Sequence, residues 1–129
     1  MFVNWKNVSA YKYLSEDFIR KYKDQVYWKY ISCFQHLSEN FIKEFQDRVD
    51  WFNISWNQKL SEQFIRQFKN KVNWKNISAN QKLSLDFIRE FEDRVDWTYI
   101  TISQQLDSDF IFEFIDKFDM DYLRKYQNY

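Results

Sequence analysis

The side chains with the most reactive chemistry are Cys33 and His36, which lie three residues apart. On a helix this spacing puts the thiol and the imidazole on one face, where they could bind a metal or form a nucleophilic pair. A zinc site needs more ligands than one Cys and one His, and a nucleophilic pair needs an orienting group and a donor-lined pocket. Neither is evident. The sequence therefore predicts no catalytic residue, no metal site, no cofactor and no enzyme.

Composition excludes several other classes of protein. The 129 residues include no Gly and no Pro, so there is no glycine-rich loop to hold a phosphate or a dinucleotide. Hydrophobic residues make up 45% of the chain, too many for a disordered protein. The single Cys excludes an internal disulfide framework. Because 19 basic residues balance 19 acidic ones, we expect no bulk attraction to nucleic acid or to anionic lipid.

Basic residues nevertheless recur at one position: Arg20, Lys43, Arg66 and Arg89. Such a row could guide the backbone of a single-stranded nucleic acid while aromatic rings stack on its bases. Three carboxylates lie beside the row, at Glu44, Glu90 and Glu113. They should cancel much of its field. A salt-bridged, solvated surface is the favoured interpretation, and nucleic-acid binding is the alternative.

The elements that carry these residues follow from an internal repeat. Tryptophan recurs every 23 residues, at Trp5, Trp28, Trp51, Trp74 and Trp97. Columns of Phe, Leu and Ile keep the same step, beginning at Phe18, Leu14 and Ile19. Five repeats span 3–25, 26–48, 49–71, 72–94 and 95–117, and a half repeat spans 118–129. A period of this length indicates a stack of small structural units.

Each repeat predicts two helices joined by a short turn. In the third repeat, Asp50 can cap a first helix (helix A) of roughly 8 residues, and Ser61 a second (helix B) of about 11. One such unit buries too little apolar surface to fold alone, so neighbouring units must share a core. We expect an all-α fold: one domain over 1–129 that forms an αα solenoid (superhelix) of five helix–turn–helix repeats plus a C-terminal half repeat. The repeated Gln should satisfy backbone groups at the turns, and the repeated Ser should mark a close helix approach.

The repeat motif is Val-Asp-Trp-x-x-Ile-Ser-x-x-Gln-x-Leu-Ser-x-x-Phe-Ile-x-x-Phe, and it covers nearly all of residues 3–129. It resembles the short tandem two-helix repeats of uncharacterised proteins from giant DNA viruses and some phages. The resemblance implies a viral or mobile-element context and no established activity. In that context the chain would inhibit a host defence protein by occlusion, and it would lie in the host cytoplasm.

Function is sought in the positions that vary between repeats, because the constant positions are explained by stacking. The outward positions of helix A hold large apolar side chains where polar ones are expected. The predicted partner-binding residues are Tyr11, Tyr30, Phe34, Phe52, Trp56, Tyr99 and Ile102. Rigid aromatic anchors in a polar surround are typical of protein-binding hot spots. The alternative is that these rings pack sideways on neighbouring repeats and belong to the core.

Two further contact sites are expected. In the fifth repeat Phe112 and Ile115 replace polar residues, so they either cover the half repeat or form a second contact site. At the start of the chain Phe2, Val3 and Trp5 begin the first repeat without a polar cap. Because solenoids normally need such caps, we expect this end to be covered by a partner or by a second copy.

These observations predict a non-catalytic protein–protein interaction scaffold. Single-stranded nucleic-acid binding is one alternative, and a self-assembling structural protein, a homo-oligomer, is the other. The first residues lack the apolar region of a signal peptide, and no segment approaches 18 uninterrupted apolar residues. We therefore expect a soluble cytoplasmic protein without membrane contact.

Overall fold

The structure is a computed structural model that describes residues 2–11 and 13–128. Its regular elements, within those residues, are helices and no strands. They are α1 Trp5–Tyr11, α2 Glu16–Lys21, α3 Trp28–Phe34, α4 Glu39–Glu44, α5 Trp51–Asn57, α6 Glu62–Gln67, α7 Trp74–Asn80, α8 Leu85–Glu90, α9 Trp97–Ser103, α10 Ser108–Glu113, a 3-10 helix Ile115–Lys117, and α11 Met120–Gln127. None of the helices so described is long enough and apolar enough to cross a bilayer.

Side-chain caps start both helices of a repeat. In the third repeat Asp50 accepts a hydrogen bond from the backbone N–H of Asn53, and Ser61 accepts one from that of Phe64. Helix A has seven residues, close to the expectation. Helix B has only six, so the predicted length of about 11 is wrong. Helix B ends at Phe68, which has φ −106° and ψ 30°, and the chain turns there without a left-handed residue.

An aromatic cluster fills the space between the two helices. The ring of Trp51 lies 6.1 Å from that of Phe64 and 5.3 Å from that of Phe68. Phe64 and its neighbour Ile65 are buried. Trp51 itself is only half-buried, and its indole N–H donates to the carbonyl oxygen of Gln46. The indole covers the edge of the core and caps a turn.

The chain divides into two compact units, Met1–Val72 and Asn73–Tyr129. In unit 1, α1 packs against α3 and α3 against α5. In unit 2, α7 packs against α9 and α9 against α11. Within each unit, neighbouring repeats thus pack through their first helices, which is the packing of a solenoid. The all-α repeat fold is confirmed, whereas the single domain over 1–129 stays a prediction.

Buried glutamines lock neighbouring repeats in register. The side-chain oxygen of Gln58 accepts from the N–H of Leu37, at 3.1 Å. Its amide nitrogen donates to the carbonyl oxygens of Ser32, at 2.9 Å, and Gln35, at 2.7 Å. Gln104 makes the equivalent three bonds in unit 2. The prediction that these glutamines serve the turns is confirmed. Each of the two caps the helix A of the preceding repeat.

The repeated serine makes a second link between repeats. The hydroxyl of Ser32 donates to the carbonyl oxygen of Trp28, at 2.7 Å, and accepts from the N–H of Asp50, at 2.9 Å. Asp50 begins the next helix A, so one buried hydroxyl joins the first turn of α3 to the start of α5. The expected close approach at this position is confirmed.

Candidate interaction surfaces

Exposed aromatic side chains lie on the helix A layer of unit 1. The exposed fractions are 80% for Tyr11, 57% for Phe34, 57% for Phe52 and 44% for Trp56. On α5 the residues between Phe52 and Trp56 face inward, because Ile54 is buried between the helices. The helical period therefore carries both rings away from the core. We call these four residues, together with the half-buried Tyr30, the aromatic surface.

A cleft between α1 and α3 brings three predicted residues together. Tyr11, Tyr30 and Phe34 line it with Ala10, and its volume is about 130 Å³. The rings of Tyr30 and Phe34 are 6.1 Å apart. The Nζ of Lys6 lies 5.6 Å from the centre of the Tyr30 ring, within cation–π distance. Tyr30 thus belongs partly to the packing between repeats, and the other two rings are open to solvent.

Phe52 and Trp56 lie one turn apart on α5, which packs beside α3. At this junction the side-chain amide of Asn57 donates to the sulfur of Cys33, at 3.6 Å. Cys33 is half-buried, and His36 is exposed. Within the described ranges, no group of three or more His, Cys, Asp or Glu side chains is placed to hold a metal ion.

The remaining predicted residues of this set belong to unit 2. Ile102 is 37% exposed, whereas Tyr99 is half-buried beneath Lys75, whose Nζ is 5.4 Å from the ring centre. Tyr99 in repeat 5 therefore repeats the arrangement of Tyr30 in repeat 2. The alternative, that these side chains belong to the core, holds in part for Tyr30 and Tyr99, which are half-buried. The other predicted partner-binding residues are exposed.

A separate apolar groove lies between α10, the 3-10 helix and α11. It has a volume of about 380 Å³ and is lined by Ser108, Asp109, Ile111, Phe112, Ile115, Met120 and Leu123. Phe112 is 80% exposed and Ile115 is 40% exposed. The structure thus places both residues of the predicted second contact site in one groove. Phe112 does not cover the half repeat.

The first residues of the chain differ from one another in their surroundings. Phe2 and Val3 are exposed, at 93% and 41%. Trp5 is half-buried, and its ring packs 4.9 Å from that of Tyr22 and 6.4 Å from that of Phe18. Trp5 therefore contributes to the first repeat's own packing, and the predicted self-association surface is open mainly at Phe2 and Val3.

Two members of the basic row are held in ion pairs. Arg20 contacts Glu44 of the next repeat at 2.8 Å and Asp17 at 2.7 Å. Its guanidinium also lies over the ring of Phe41, at 5.3 Å. Hydrogen bonding to Glu44 is the main cause that raises the pKa of Arg20 above its ordinary value. Arg89 has the same surroundings in unit 2, with Glu113 at 2.9 Å and Asp86 at 2.8 Å.

Although the whole chain has no net charge, its acidic and basic residues are distributed unequally between the two helices of the repeat, which the sequence analysis missed. Helix A and the loop after it occupy 5–14, 28–37, 51–60, 74–83 and 97–106. These segments contain no Asp, Glu or Arg and six lysines: Lys6, Lys12, Lys29, Lys59, Lys75 and Lys82. Lys12 lies outside the described residues, and the other five are exposed. All 19 acidic residues occur in the other parts of the chain. Counting charge separately for each helix of the repeat would have revealed this.

Two exposed tyrosines of unit 1 were also missed. Tyr13 is 89% exposed, and Tyr27 is 50% exposed. Tyr27 replaces the usual capping residue of helix A and makes no side-chain cap bond. Its ring stacks instead on that of Tyr30, with centroids 6.1 Å apart. The missing cap was visible in the sequence, and it could have signalled an aromatic side chain directed outward.

These features define the class of the protein as a helical tandem-repeat protein. Comparisons with known protein families, curated proteins and solved structures find no match to the chain. The chain is therefore identified only as an all-α protein built from repeats of 23 residues. Its function must be argued from its own surfaces.

Proposed function

We propose that the chain is a non-catalytic protein-binding scaffold and that the aromatic surface of unit 1 contacts the partner. The observation that carries this proposal is the exposure of Tyr11, Phe34, Phe52 and Trp56 on adjacent helices. Folding alone gives no reason to expose them, since equivalent positions in other repeats hold smaller or polar residues such as Lys29, Asn57 and Ala79. In three further repeats, for example, the position of Trp56 is Ala10, Cys33 and Ala79.

The scaffold favours binding because its aromatic anchors are already ordered. Phe34 projects from a helix that Gln58 and Ser32 hold against the next repeat. Such a side chain has little conformational entropy to lose when a partner covers it. Large rings with polar neighbours also supply most of the binding free energy in many interfaces. The described surface offers several such rings within one unit.

Single-stranded nucleic acid is the second candidate, because the aromatic surface carries lysines and no carboxylate. Against it, Arg20 and Arg89 are held in ion pairs with acidic residues on the other helix layer. Lys6 already lies over the ring of Tyr30. The paired members of the basic row are thus unavailable to follow a phosphate backbone, and a protein partner is favoured.

The resemblance of the repeat motif to those of giant viruses and phages would place the chain in an infected cell. In that setting the partner would be a host protein, and the chain would inhibit it by covering a functional surface. This step rests on the resemblance alone, and the protein-binding proposal does not depend on it.

The test is affinity capture with a tagged chain from a host-cell lysate, followed by titration of the purified partner. The variant is Phe34→Asn with Trp56→Ala, which introduces the residues present at Asn57, Asn80, Ala10 and Ala79. Because these residues fit the same positions in other repeats, the variant should fold. We expect the Kd to rise at least about 30-fold, since each ring acts as a hot spot.

Tyr13→Lys is the matched control, because it also removes an exposed aromatic ring and because Lys occupies this position at Lys59 and Lys82. Capture should survive in the control while the far-UV circular dichroism of both proteins matches that of the parent. Equal affinity of the double variant and the control would overturn the proposal. Retention of single-stranded RNA at low salt, lost in the double variant, would favour the second candidate.

A further inference from the structure

The groove of unit 2 has acidic residues around it, whereas the charged residues near the aromatic surface of unit 1 are lysines. Asp109 and Phe112 lie three residues apart on α10, which puts them on one face of the helix, and Asp116 lies in the 3-10 helix that follows. All three are exposed, and Phe112 is 80% exposed. We call these residues, with Ile115, the acidic patch.

The two carboxylates of the acidic patch are available for an external partner. In the part of the chain that the structure describes, Glu113 pairs with Arg89, but no ion pair involves Asp109 or Asp116. Asp107 and Asp119, which lie nearby in the sequence, accept backbone hydrogen bonds as helix caps. The patch therefore presents an exposed phenyl ring and two exposed carboxylates that form no ion pair within the described residues.

The aromatic cleft of unit 1 offers the complementary features. Tyr11, Tyr30 and Phe34 surround a space comparable in size with a phenyl side chain. Lys6 lines the cleft, and Lys29 lies exposed at the start of α3. No carboxylate occurs on α1 or α3. An anionic surface with a projecting aromatic ring is what this cleft fits.

We propose that the protein self-associates head to tail, with Phe112 of one copy entering the cleft between α1 and α3 of a second copy. Asp109 and Asp116 then face Lys6 and Lys29 of that copy. This inference rests on the proposed function, because it assigns a second copy of the chain as one partner of the aromatic surface. This one contact would cover two large apolar side chains, Phe112 and Phe34, that are otherwise exposed to solvent.

The charges on the two sides support this arrangement. The carboxylates Asp109 and Asp116 flank Phe112 in the sequence, and Lys6 and Lys29 hold equivalent positions on two helices that pack together. Opposite charges on the two surfaces also favour one orientation of the two copies.

The contact joins two different surfaces, so it is heterologous. After two copies pair, one of them keeps a free cleft and the other keeps a free patch. Such contacts produce rings when the rotation closes and open chains when it does not. A second class of partner bearing an acidic, aromatic segment would compete for the same cleft.

The test is sedimentation velocity of the full chain at rising concentration. We expect the mean mass to rise with concentration and association to weaken when the NaCl concentration increases from about 0.05 M to about 0.5 M. Two variants block opposite sides of the contact. Phe112→Arg introduces the residue present at Arg20, Arg66 and Arg89, and Ala10→Trp fills the cleft with the residue present at Trp56.

Each variant alone should be monomeric at concentrations where the parent associates, with a Kd at least about tenfold weaker. An equimolar mixture should form dimers, because Phe112→Arg keeps its cleft and Ala10→Trp keeps its patch. Tyr13→Lys should associate like the parent.

A parent chain that stays monomeric at about 1 mM would overturn the proposal, and so would association that Phe112→Arg leaves unchanged. Neither result would affect capture of another protein through Phe34 and Trp56. The two proposals therefore fail separately.

Discussion

The side-chain amide of Gln58 donates a 2.7 Å hydrogen bond to the backbone carbonyl oxygen of Gln35, its equivalent in the preceding repeat. The same amide group serves two further backbone atoms, the carbonyl oxygen of Ser32 and the N–H of Leu37. A chain without glycine lacks the residue best suited to a left-handed helix end, and within the described residues only Asn128, after α11, adopts that conformation. Here Gln58 of the next repeat caps the end of α3. The same hydrogen bonds therefore cap a helix and hold two repeats together.

Replacing this glutamine should destabilise the fold strongly. Gln58→Leu leaves three buried backbone groups without their partner, and each such group costs about 1–3 kcal/mol. We expect the free energy of unfolding to fall by about 3 kcal/mol or more in urea denaturation. Lys59→Leu, at the exposed neighbouring residue, should change it by less than about 0.5 kcal/mol. A loss below about 1 kcal/mol for Gln58→Leu would show that the amide is not a structural cap.

The hydrogen bonds of Ser32 predict different effects on stability for two conservative substitutions at this residue. Ser32→Ala removes the acceptor of the Asp50 N–H and should lower the free energy of unfolding by about 1–2 kcal/mol. Ser32→Thr should be nearly neutral, because Thr101 fills the same position and its hydroxyl donates to the carbonyl oxygen of Trp97, at 2.7 Å. Thermal melts of the two variants would test this. Equal melting temperatures would be inconsistent with the hydrogen bond.

Two positions that depart together from the repeat motif in unit 2 should have coupled effects on stability. Glu39 accepts two hydrogen bonds from Ser61, the cap residue of the next repeat, at 2.6 and 3.0 Å. Leu85 and Asp107 occupy the same two positions in unit 2. There a Glu at the first position would face the carboxylate of Asp107, and Leu85 avoids that repulsion. The carboxylate of Asp107 itself caps α10, because it accepts a hydrogen bond from the N–H of Phe110.

The coupling can be measured with a double-mutant cycle. Leu85→Glu alone should destabilise unit 2, whereas Leu85→Glu with Asp107→Ser should recreate the Glu39–Ser61 contact. We expect a favourable coupling energy of about 1 kcal/mol between the two changes. Additive effects in chemical denaturation would mean that this contact contributes nothing to stacking.

Exposed and buried rings should respond differently to substitution. Phe34→Asn should change the free energy of unfolding by less than about 1 kcal/mol, because the ring is 57% exposed. Phe41→Ala should cost about 3–5 kcal/mol, because that ring is fully buried against Trp28 and Phe45. Comparison of the two denaturation midpoints is the measurement. Similar losses would place Phe34 in the core and remove the basis of the binding proposal.

Much of the local structure could be predicted from the repeat. Asp50 and Ser61 cap the helices that they were expected to cap. Helix B was predicted too long because Phe68 and Val72 continue its apolar spacing, although they lie in the turn after it. Periodicity counts buried side chains and does not distinguish a helix from a compact turn that buries the same residues.

The candidate site was predicted less completely. The sequence placed Phe34 and Trp56 on the outer side of helix A, and both are exposed. It could not separate them from Tyr30, which is half-buried because Lys6 of the preceding repeat covers its ring. That cover depends on the distance between two helices, and no pattern within one repeat contains it.

The 23-residue spacing alone establishes the class of fold, since local hydrogen bonds and the helical period require only neighbouring residues. The partners of Gln58 and Ser32, the half-burial of the tryptophans and the cleft beside Tyr11 were decided by packing. These features depend on atoms from segments 13 to 26 residues apart. Their separation in space is set only when the repeats stack.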